Sequence, residues 1–149
     1  MKLPTRLSAL IFIGVFAVGL TALGYDYFFF YAPPLKAAEQ FMQAMESKDI
    51  NALRSAIIIS VDVDVTNLRP PTEKELNTLL AEPFQRGRIL DQHRRDGKSR
   101  DFYYLVYREP DGRVYALVVT LVGERYRVVV PEIPMSRKHS YLWDYTWTN

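Results

Sequence analysis

From Leu7 to Tyr25 the chain reads LSALIFIGVFAVGLTALGY, nineteen residues without a charge. As a helix, at about 1.5 Å per residue, this run would extend roughly 28 Å, close to the hydrocarbon thickness of about 30 Å. Lys2 and Arg6 precede it, and Asp26 follows. Around Asp26 lie Tyr25, Tyr27, Phe28, Phe29, Phe30 and Tyr31, aromatics of the kind that settle at headgroup depth. Pro33 and Pro34 are expected to stop the helix. Beyond them, in residues 35–48, Ala38, Phe41 or Met42, and Met45 recur with a helical period, opposite Glu39, Gln43 and Glu46. Asp49 reads as the N-cap of a shorter helix carrying Ile50, Leu53 and Ile57. The run IIISVDVDV (57–65) switches to alternation, which predicts a short strand or extended link. After Pro70 and Pro71, Thr72 with Glu75 predicts a capping box for a third helix with Leu76, Leu79 and Leu80 on its apolar side.

From about residue 86 the pattern becomes β. RILDQHRR is followed by Asp96-Gly97, FYYLVY by Asp111-Gly112, VYALVVTLV by Gly123-Glu124 and YRVVV by Pro131, each junction carrying hairpin turn chemistry. The expected fold class is α+β: an N-terminal transmembrane helix, then three helices packed on a curved antiparallel four-stranded meander, with an extended aromatic C-terminal tail. Residues 1–32 form the cytoplasmic tip, transmembrane anchor and aromatic interface segment, and residues 33–149 the extracytoplasmic domain, with its tail at 132–149.

A cleaved signal peptide is the rival reading of the first segment, with Ala22 and Gly24 as the small residues before the cut. Cleavage there would leave YDYFFFYAPP as a free N-terminus, an awkward product in water. The anchor is therefore preferred. Lys2 and Arg6 keep the N-terminus cytoplasmic, which predicts a single-pass protein of a bacterial inner membrane with a periplasmic C-terminal domain.

The opening AAEQFMQAMESKDINALRS, followed by helices and a meander, resembles the NTF2-like, cystatin-related cone fold, and its SKDINAL step is similar to the acidic connector common in that superfamily. A single span before such a domain resembles the bitopic assembly subunits of type IV secretion systems. The resemblance covers roughly residues 35–131. It implies a membrane-complex subunit. Enzymatic members of the superfamily place an acid inside the cone, often with a tyrosine or histidine. Tyr103, Tyr104, Tyr107 and Asp101 are the residues that could be arranged so, yet tyrosines on apolar strands are far more often packing, and no catalytic role is carried onto them.

Composition narrows the chemistry. The 149 residues hold no cysteine, which excludes disulfides, thiolate nucleophiles and Cys-ligated metals. A net charge of +2 is too balanced for a bulk nucleic-acid binder. No two glycines of the domain stand closer than ten residues, so no phosphate cradle is present. His93 and His139 stand far apart in the sequence and read as surface or strand-edge histidines. Asp62 and Asp64 would share one side of a strand and could hold a cation, but the wet face of a strand is the simpler reading. No cofactor, metal or catalytic residue is expected. Residues 33–82 carry five basic against eight acidic side chains, or −3, and residues 83–149 twelve against eight, or +4. The basic excess gathers in Arg86, Arg88, Arg94, Arg95, Lys98 and Arg100, as a solvated strand edge or an anionic-partner surface.

In FYYLVY and VYALVVTLV both alternations are apolar, which predicts strands covered on both faces. The tail SYLWDYTWTN places Tyr141, Trp143, Tyr145 and Trp147 at every second position, so an extended tail presents all four to one side, for packing on its own sheet or docking on a partner. The function expected is a non-enzymatic, membrane-anchored interaction module, an accessory or assembly subunit of an envelope complex. Its partners would be membrane lipid, other subunits of a membrane complex and copies of itself, with no nucleic acid; Tyr141, Trp143, Tyr145, Trp147, Arg94 and Arg95 are the partner-binding candidates. The alternatives are an NTF2-like domain that binds a small apolar ligand and an enzyme of the ketosteroid-isomerase or dehydratase kind.

Overall fold

The computed structural model describes residues 5–96, 101–136 and 138–144, and for residues 5–10, 29 and 30 the backbone alone. The chain forms two compact units, Met1–Pro33 and Pro34–Asn149.

The first unit holds helix α1 (Thr5–Asp26) and a π-helical turn (Tyr27–Tyr31). Among the described residues no helix is long and apolar enough to cross a membrane. The expected single-pass anchor, and with it the inner-membrane location and the periplasmic placement of the domain, is corrected on this finding. Tyr27 packs edge-on against Phe28 and stacks on Tyr31, with centroids 5.6 and 5.7 Å apart. The side chains of Phe29 and Phe30 lie outside the described set.

The second unit is the domain. Pro33 and Pro34 do not end a helix; they lie in the first turn of α2 (Ala32–Ser47), which follows directly on the π-helical turn. Ala38, Phe41, Met42 and Met45 are buried on its inner side. Asp49 caps α3 (Ile50–Ala56), its carboxylate accepting from the N–H groups of Asn51 and Ala52. Ile57 leaves the helix in an extended conformation and opens β1 (Ile57–Ser60). A loop returns to β2 (Leu68–Arg69), and the capping box of Thr72 and Glu75 starts α4 (Glu73–Ala81). Four longer strands follow: β3 (Arg88–Asp96), β4 (Asp101–Arg108), β5 (Val114–Val122) and β6 (Arg125–Pro131), then the short β7 (Trp143–Asp144). Gly112 and Gly123 sit at φ +87° and +64° in the last two turns, conformations that need no Cβ. The expected turn at Gly97 lies outside the described residues.

The sheet is not a four-stranded meander. It is a mixed seven-stranded sheet in the order β2-β1-β6-β5-β4-β3, with β7 paired to β5. β3 to β6 are sequential antiparallel neighbours, but β1 runs parallel to β6, with Ile57 opposite Val128 and Ser60 opposite Pro131. A parallel partner some 70 positions away leaves no turn signal in the sequence. β6 covers only residues 118–122 of β5, and β7 takes Tyr115 and Ala116 just beyond.

Both faces are buried. On the helix side Tyr103, Leu105 and Tyr107 of β4 join Phe41, Met42 and Leu76. On the other side Phe102, Tyr104, Val118, Val129, Trp143 and Val65 form a second, smaller cluster to which, among the described residues, no helix contributes.

Candidate functional site

The most concentrated polar chemistry of the domain lies where the segment after β6 returns across the sheet. His139 is 6% exposed and Glu109, just past the end of β4, is 5% exposed. The imidazole Nε2 stands 3.0 Å from Glu109 Oε1, and Nδ1 stands 3.4 Å from Glu82 Oε2 at the end of α4 without forming a hydrogen bond. Lys138 Nζ donates to Glu109 at 2.6 Å and to Asp111 at 2.7 Å. The Ser140 hydroxyl donates to Glu82. Beside Asp111, with Glu109 as its second anion, the Lys138 ammonium is held charged above its usual range, and Lys138 lowers the Asp111 carboxyl in turn. The imidazole stacks on the Tyr141 ring at 5.0 Å.

Two tyrosines complete the surroundings. Tyr107 accepts from the Gly87 N–H at 2.6 Å and donates to the Gln85 carbonyl at 3.1 Å. Among the described residues the buried Tyr141 hydroxyl has no hydrogen-bond partner, and burial pushes its ionisation far up. An acid, an imidazole and a phenol thus stand together as they do in proton-transfer sites, but they are closed off from solvent. A cleft of about 270 Å³ lies beside them, lined by Arg113, Tyr115, Ser136, Lys138 and Asp144. Its two cations already face carboxylates, Lys138 as above and Arg113 at 3.8 Å from Asp111.

Among the described residues no group of histidine and carboxylate side chains has the arrangement of a metal site. The Asp62 carboxylate, considered from sequence as a cation ligand, instead accepts from the N–H groups of Thr66 and Asn67 at 2.8 and 3.0 Å. The Thr66 hydroxyl bond is the main cause of its lowered pKa.

The partner-binding candidates do not converge. Tyr141 and Trp143 are 1% and 2% exposed, and they fall in opposite clusters, Tyr141 against Phe41 and Phe84 on the helix side, Trp143 on the second face with its indole N–H donating to the Val129 carbonyl at 3.0 Å. Alternation does not carry through because residue 141 lies in a turn and only Trp143 and Asp144 are strand. Tyr145 and Trp147 lie outside the described residues, as do Lys98 and Arg100. Arg94 pairs with Asp101 on the neighbouring strand, and Arg95 reaches the Tyr104 hydroxyl. Arg86 bridges to Glu39 and Glu46 of α2. Two of the six basic residues near β3, Arg86 and Arg94, are therefore held in the domain's own ion pairs. Of the tyrosines considered for a cone interior, Tyr103 and Tyr107 share the helix side while Tyr104 faces the second cluster. His139, read from sequence as a surface or strand-edge histidine, is the residue the pattern missed. Its partners Glu82 and Glu109 stand 57 and 30 positions away in the chain, and only the fold assembles them.

Compared with known protein families, curated proteins and solved structures, the chain matches none.

Proposed function

We propose that this chain is a non-enzymatic interaction module, a subunit of a larger protein assembly, and that α1 is its contact element. The observation that carries this reading is the surface of α1. Ile11, Phe12, Val15, Phe16, Val18 and Leu23 are each 54–74% exposed, and with Ile13 and Leu20 they wrap well over half of the helix circumference. The remainder, Gly14, Ala17, Thr21 and Gly24, carries no charge. A helix apolar all round is a helix that something else covers. The closed state of the His139–Glu109 pair supports the non-enzymatic half of the reading.

The test is sedimentation of the full chain in aqueous buffer, where a species well above the 17.3 kDa chain mass is expected. The double substitution Val15→Glu/Val18→Glu should return it to the monomer mass. A wild-type monomer in water, or a chain that partitions into lipid vesicles without protein association, would refute the proposal. A second reading, an isomerase- or dehydratase-like enzyme, draws on Glu109, His139 and Tyr141. Perturbation of His139 resonances by a small carbonyl compound would favour it.

A further inference from the structure

The loop joining β1 to β2 holds a residue in a backbone conformation that its side chain resists. Val65 sits at φ +56°, in the left-handed region, where a β-branched residue is an outlier because its Cβ crowds the following carbonyl. Yet Val65 is 1% exposed and belongs to the second-face cluster with Ile58, Tyr104, Val118 and Val129. It is the only buried residue between 61 and 67. The loop closes at its neck, where the Val61 N–H donates to the Asn67 carbonyl at 2.9 Å beside the β1–β2 pairs Ile59–Arg69 and Ser60–Leu68. Within it, the Asp62 carboxylate gathers the N–H groups of Thr66 and Asn67 and the Thr66 hydroxyl. These bonds shape the loop. Near the neck the Ser60 hydroxyl of β1 also donates to the Asp62 carbonyl at 2.7 Å, and further out the Val65 side chain fastens the loop to the sheet.

We propose that Val65 is a displaceable plug, and that residues 61–67 form a lid hinged at the neck over an apolar socket that takes a small apolar molecule. The socket already holds an isopropyl group among aliphatic and aromatic carbon, which sets both the chemistry and the scale of the ligand, from a branched alkane to a single benzene ring. When Val65 leaves, its backbone relaxes out of the left-handed region. That relaxation offsets part of the burial lost with the plug and lowers the barrier to exchange with a ligand. The socket lies on the face opposite the helices and does not depend on the assembly role of α1.

Benzene is the probe, followed by amide NMR of the full chain. Benzene-dependent shifts are expected at Val65–Asn67 and at Val118 and Val129. Val65→Gly removes the plug and accepts the positive φ, so it should bind benzene about tenfold or more tightly than wild type, because no plug has to be displaced first. Asp62→Asn loosens the loop and keeps the plug. In that variant the Thr66 and Asn67 amides should exchange about tenfold faster with those of Val118 and Val129 unchanged, and benzene should bind more tightly than to wild type. Absence of shifts at the socket in all three proteins, equal benzene affinity throughout, or loosening of the sheet amides together with the loop would each overturn the proposal. If Val65→Gly does not fold, Asp62→Asn alone carries the comparison.

Discussion

Glu75→Gln tests the ionic junction that fastens α4 to the β2 edge of the sheet. Glu75 accepts from the Thr72 N–H at 2.7 Å and from Arg69 Nη1 at 3.0 Å, while Arg69 also reaches Glu132 at 2.9 Å beyond β6. The Arg69 guanidinium is the largest influence and holds the Glu75 carboxyl at about 2 against an ordinary 4.5. Because the folded value is the lower one, the stabilisation is fully present above pH 4.5 and is lost as pH falls from there through about 2. A shift of that size corresponds to about 3 kcal/mol. With 28% of the side chain exposed, solvent screening brings the expectation to roughly 2 kcal/mol. Glutamine keeps the shape and an accepting oxygen and removes only the charge. Urea unfolding followed by tryptophan fluorescence at pH 7 should therefore show the variant less stable by roughly 2 kcal/mol. The gap to wild type should narrow as pH falls towards 2 and close below it, where Glu75 becomes neutral like the glutamine. A deficit that stays constant with pH, or one below about 0.5 kcal/mol at pH 7, would refute this account of the junction.

Two further substitutions probe the packing around the buried polar group. In Gly87→Ala the new Cβ would stand 2.3 Å from the Arg108 carbonyl oxygen and 2.6 Å from the Tyr107 ring; because the first is backbone, the strand must shift, and a loss of about 2–3 kcal/mol is expected in chemical unfolding. Unchanged stability would mean that β3 enters the sheet elsewhere. Tyr141→Phe removes the hydroxyl that has no partner and should raise the stability by about 1 kcal/mol, seen as a higher thermal midpoint. A lower midpoint would reveal a partner for that oxygen.

The local chemistry of the domain was legible because each signal acts over a few residues. Asp49 and the Thr72–Glu75 pair mark helix starts through bonds to amides two or three positions away. Gly112 and Gly123 mark turns through their own φ angles. The double-sided burial of β4 and β5 followed from two apolar alternations in a single strand. Pro33 and Pro34 misled because proline both ends helices and fits their first turn, and the outcome depends on which side the helix lies.

What the sequence by itself determined is thus the order and kind of most elements in the domain, since caps, turns and periodicity are set by neighbours in the chain. The tertiary structure alone decided the partners. β1 found β6, Trp143 went to one face of the sheet and Tyr141 to the other, and Glu82 and Glu109 closed around His139. The backbone of IIIS reads the same whether its neighbour is antiparallel or parallel. A histidine reads the same whether water or two carboxylates surround it. Those choices are made by burial and pairing across long stretches of chain, where the only record is the assembled fold.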